Sequence, residues 1–74
     1  MSIDFGSLLT VEQKTALLEQ RIQQFAAEGY QHTLNKQVAE SKGDEALALS
    51  SQQSIDTLTA AIEAYQAELD SLTE

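Results

Sequence analysis

Seventy-four residues allow one small domain, and at that size a chain buries only about 60% of the surface its unfolded form exposes. With no Cys, one His, no Pro and 42% hydrophobic residues, the composition excludes a disulfide framework and a Cys-based zinc site and favours uninterrupted helix over disorder. A net charge of −8, from 4 basic and 12 acidic residues, argues against binding nucleic-acid phosphates or an anionic membrane.

The first ten residues stand apart from the rest. Ile3, Phe5, Leu8 and Leu9 crowd around Gly6 with no sustained helical period. They read either as a frayed terminus or as an apolar arm (residues 1–10) that docks on a neighbouring surface. Met1-Ser2-Ile3-Asp4-Phe5 has neither the basic start nor the apolar core of a signal peptide, so none is expected here. No run of about 18 apolar residues is present, so no membrane span is expected either.

Thr10 and Gln13 have the spacing of a capping box, and Glu12 lies in the electropositive first turn that follows. From Val11 to about Ser41 the chain is rich in Ala, Leu, Glu, Gln and Lys, with Gly29 the one residue that weakens a helix. Lys42-Gly43-Asp44 then reads as a turn. Gly43 suits a left-handed residue after a helix, Lys42 suits the helix's negative end, and Asp44 suits the next N-cap. A second helix is expected from about Glu45 to about Leu72.

Two helices of about 30 residues, each about 45 Å long, joined by so short a turn must run antiparallel. The expected fold is therefore all-α: an antiparallel, coiled-coil-like two-helix hairpin over residues 11–74. In the second helix Ile55, Leu58, Ile62, Tyr65, Leu69 and Leu72 alternate spacings of three and four, an unbroken a/d seam. In the first helix the apolar residues Leu18, Ile22, Phe25, Tyr30, Leu34 and Val38 are expected to meet that seam. From Ile22 the run through Ala26, Tyr30, Leu34 and Val38 steps by four, so this stripe winds around the helix. Leu17, Leu47, Leu49 and the amino-terminal cluster find no place in a two-helix core. The hairpin is accordingly expected to complete its core against copies of itself or another protein.

Charge is unevenly spread. Residues 1–42 carry all four bases against five acids, a net of −1, whereas residues 43–74 carry seven acids and no base, a net of −7. That acidic half serves either solubility or a basic partner.

The residues supply little chemistry. His32, with Glu28 one turn before it, offers at most two metal ligands from one face, and the Glu-x-x-His spacing of di-iron bundles is absent. No Ser sits in a Gly-x-Ser-x-Gly elbow, and the three glycines are too scattered to cradle a phosphate. No catalytic, metal-binding or cofactor-binding residue is assigned, and no enzyme is expected.

The stretch Leu9-Thr10-Val11-Glu12-Gln13-Lys14, followed by Arg21-Ile22-Gln23-Gln24-Phe25-Ala26-Ala27-Glu28-Gly29-Tyr30-Gln31-His32, resembles small proteins encoded among the tail genes of tailed bacteriophages. The Met-x-Ile-Asp-Phe start, the Ala/Gln/Glu-rich helices and the acidic end are similar as well. The resemblance implies a virion setting, in the tail or tail tip, after synthesis in the host cytoplasm. It carries no functional residue with it. The expected role is a structural, multi-copy component with protein partners, itself or other virion proteins. The alternatives are an assembly chaperone or adaptor that leaves the finished particle and, third, an acidic mimic of DNA.

Overall fold

The computed structural model describes residues 2–73; Met1 and Glu74, the outer limits of the expected arm and hairpin, lie outside the described residues. The chain is an all-α hairpin. Helix α1 spans Val11–Lys42 and helix α2 spans Glu45–Leu72, and the two pack against each other.

Local chemistry accounts for each helix end. Thr10 Oγ1 accepts from the Gln13 backbone N–H at 3.1 Å, and Gln13 Oε1 accepts from the Thr10 N–H at 2.9 Å. This reciprocal box satisfies two donors that the start of a helix would otherwise leave open. At the other end α1 runs one residue further than expected, because Lys42 completes the last turn rather than opening the link. Gly43 then adopts φ 72°, the left-handed region where a side chain is strained and glycine is not. The Gly43 N–H donates to Glu40 O at 3.2 Å and the Asp44 N–H to Ala39 O at 2.9 Å, a Schellman pair that closes the helix. Asp44 turns at once into a cap, its Oδ1 accepting from the Leu47 N–H at 3.1 Å. Two residues thus reverse the chain and leave no room for anything but antiparallel packing.

The amino-terminal segment is more ordered locally than its composition suggests. Phe5–Leu8 forms a single 3₁₀ turn, with Asp4 Oδ1 accepting from the Gly6 N–H at 3.1 Å. Sequence reading missed this turn because one 3₁₀ turn has no repeat to detect; the Asp-x-Gly pair that caps it was its only signal.

The molecule measures 50 × 27 × 16 Å with a radius of gyration of 16.5 Å, well above the roughly 11 Å of a compact chain of this length. An elongated two-helix layer encloses almost nothing. Among the described residues only Ala39 (0% exposed) and Ser51 (3%) are fully buried, and both lie close to the turn, where the short link draws the helices together and only small side chains fit.

Candidate interaction surface

The seam between the helices changes character along its length. In the half far from the turn, Leu18, Ile22 and Phe25 of α1 and Leu58, Ile62, Tyr65, Leu69 and Leu72 of α2 are all half-buried. Phe25 and Tyr65 meet edge to face, with ring centroids 5.2 Å apart and planes at 78°, the favourable arrangement for two aromatic quadrupoles. Nearer the turn α2 continues with half-buried Ile55, but α1 presents Gly29, His32, Thr33 and Lys36 before Ala39. Lys36 Nζ donates to Gln52 Oε1 at 2.6 Å, and Gln52 Nε2 donates to Asp56 Oδ1 at 2.8 Å. The hairpin is therefore apolar inside at its open end and largely polar inside at its closed end.

This corrects the expected α1 stripe. Tyr30, Leu34 and Val38 do not meet the α2 seam; they are 66%, 36% and 49% exposed. The reason is angular. A step of four residues turns 400°, so each step drifts about 40° past a full turn, and the four steps from Ile22 to Val38 carry the stripe to the far side of the helix. Antiparallel packing instead follows the alternation of three and four. From Leu18, Ile22 and Phe25 that alternation runs on through Gly29, His32, Lys36 and Ala39, whatever their polarity. His32 is half-buried in this seam. The signal that would have found these residues was spacing, extended without regard to hydrophobicity.

The remaining residues singled out from the sequence lie on the surface. Ile3, Phe5 and Leu8 are 64–71% exposed and Leu9 is 38% exposed. Leu17, Leu47 and Leu49, which had no expected place in the core, are exposed as well.

The outward faces of the two helices differ in kind. On α1, opposite its seam, Gln13, Ala16, Gln20, Gln23, Ala27, Tyr30, Leu34, Gln37 and Ser41 alternate three and four residues apart, and every one is exposed. None of the charged residues of α1 falls on this line. On α2, the corresponding outward line is Leu49, Gln53, Asp56, Ala60, Glu63, Ala67 and Asp70, again all exposed. Its three carboxylates recur every seven residues, about 10 Å apart at 1.5 Å per residue. One back is neutral and the other is acidic.

Concavities are shallow. The groove bordered by Glu28, His32, Ser50, Ser54, Thr57 and Leu58 has a volume of about 460 Å³ and opens to solvent along the seam. It brings Glu28 and His32 beside the hydroxyl groups of Ser50, Ser54 and Thr57, the Gln53 amide and Leu58. Among the described residues no group of three or more His, Cys, Asp or Glu side chains is placed to hold a metal ion, and no helix is long and apolar enough to cross a membrane.

Comparison with protein families, with curated proteins and with solved structures returns no match for this chain.

Proposed function

We propose that this chain is a structural, non-enzymatic component of a bacteriophage particle, in its tail or tail tip, that acts by helix packing within a multi-copy assembly. The observation that carries the packing role is the imbalance between buried and exposed apolar groups. Two small residues are fully buried among those described, while eleven large apolar side chains are exposed. A chain with so little interior gains most of its stabilisation from burial against other molecules. The virion setting rests on the resemblance of residues 9–14 and 21–32 to small tail-gene proteins. The same surfaces would serve an assembly chaperone, whereas the DNA-mimic reading is weaker. The five carboxylates of α2, about one per 8 Å at 1.5 Å per residue, are far sparser than the one charge per roughly 1.7 Å that duplex DNA presents.

Mass spectrometry of purified particles tests the proposal. The chain should be present in many copies per particle. Its absence from finished particles, with presence in the lysate bound to a particle protein, would replace the structural role by the chaperone role.

A further inference from the structure

The groove beside the closed half of the seam is richer in acceptors than its residue names suggest. Three hydroxyls of α2 border it, and each already gives its one proton to the helix backbone. Ser50 Oγ donates to Leu47 O at 3.1 Å, Ser54 Oγ to Ser50 O at 3.2 Å and Thr57 Oγ1 to Gln53 O at 3.0 Å. What these oxygens have left for a ligand is lone pairs. The α1 wall adds the Glu28 carboxylate, which accepts from either oxygen and donates from neither. Among the described residues, only the Gln53 amide and the His32 imidazole can donate there, and no Lys or Arg borders the groove. Lys36, one helical turn beyond His32, spends its ammonium on Gln52 at 2.6 Å.

We propose that this groove binds a guanidinium cation, carried by a free small molecule or by an arginine side chain of a partner protein. An anion would meet a carboxylate and no base. A neutral polyol could donate to the hydroxyls but would leave Glu28 without a counter-charge, in a chain whose net charge of −8 draws cations. Between cations, the two-walled shape decides. An ammonium radiates three donors from one strongly hydrated point, whereas a guanidinium spreads five N–H groups around a weakly hydrated plane. One edge can pair with the Glu28 carboxylate in the bidentate, charge-assisted manner, while the opposite edge donates to Ser54 and Thr57 across the groove. Leu58 and the His32 ring supply apolar and flat surface for the plane to lie on. This inference needs only the hairpin itself and stands apart from the virion reading.

Titration of the whole chain with methylguanidinium at constant ionic strength, followed by backbone amide shifts in NMR, makes the test. Binding should saturate with a Kd on the order of 10 mM, within reach of a ligand of so few atoms in an open groove. The shifts should centre on Glu28, His32, Ser54 and Thr57. Urea, a planar donor of similar shape without the charge, and methylammonium, the charge without the plane, should each bind at least about threefold more weakly. Glu28→Gln, at an exposed position, should weaken methylguanidinium binding about threefold or more, whereas Glu63→Gln removes the same charge on the outward face of α2 and should leave it unchanged. Should Glu28→Gln alter the circular dichroism, Thr57→Val makes the test from the other wall, with about a twofold loss expected. Acetylarginine methylamide binding more tightly than free arginine would point to a partner's side chain, and the reverse order to a free compound. Equal weakening by Glu28→Gln and Glu63→Gln, urea or methylammonium binding as tightly as methylguanidinium, or shifts spread evenly over the acidic residues would each overturn the proposal.

Discussion

Gly29 offers the cleanest test of the energetics of the hairpin. It lies in the interior of α1, on the seam, half-buried and with an ordinary helical backbone, since Gly43 alone among the described residues has a positive φ. A Cβ placed there meets no other part of the fold within 4 Å. Gly29→Ala therefore removes the conformational freedom of glycine from the unfolded chain at no steric cost to the hairpin. The difference in helix propensity is about 0.8–1.0 kcal/mol in favour of Ala. For a domain of this size each kcal/mol moves the midpoint by roughly 4–8 °C, so Tm should rise by about 3–8 °C. The assay is thermal unfolding followed by circular dichroism, with both proteins at one concentration because association contributes to the midpoint. Urea unfolding should give a higher midpoint with an unchanged slope. A lower Tm would refute the reasoning, since it would require an atom close to Gly29 that the hairpin does not supply.

Three further outcomes follow from the same geometry. Gly43→Ala should cost about 1–2 kcal/mol by forcing a side chain into the left-handed region, and Gly43→Asn should cost less, both read by urea unfolding. Ile62→Asp should cost about 2 kcal/mol or more, because it strips half-buried apolar surface one turn from Tyr65 and leaves a carboxylate against α1; loss of helicity at 25 °C reads it, and retained wild-type stability would sink it. Deleting residues 2–9 should keep the helices, since Ile3, Phe5 and Leu8 are exposed and the Thr10 cap remains, while reducing incorporation into particles; collapse of the circular dichroism signal would place the arm in the hairpin's own core.

Much of this fold is written in short stretches of sequence. The Thr10–Gln13 box, the Gly43 reversal and the Asp44 cap each depend on residues within five positions of one another, so local chemistry alone sets the helix ends and the direction of the second helix. The α2 seam is equally legible, because from Ile55 to Leu72 the apolar residues and the packing positions coincide. In α1 the two part company after Phe25. Hydrophobic identity leads to Tyr30, Leu34 and Val38, while the geometry of two antiparallel helices leads to Gly29, His32, Lys36 and Ala39.

Only the tertiary structure decides between those two lines, and the reason is physical. A helix offers apolar residues on any face at similar local cost, so propensity and capping leave its rotation about its own axis undetermined. That rotation is fixed by the partner. With α2 held close by a two-residue link, the small side chains of Ala39 and Ser51 must both turn inward near the turn, and Phe25 must reach Tyr65 at the open end. Satisfying both turns Tyr30 and Leu34 outward, onto the charge-free back of α1. The sequence by itself determined two helices and where they begin and end; packing decided which of their apolar residues became interior and which became surface.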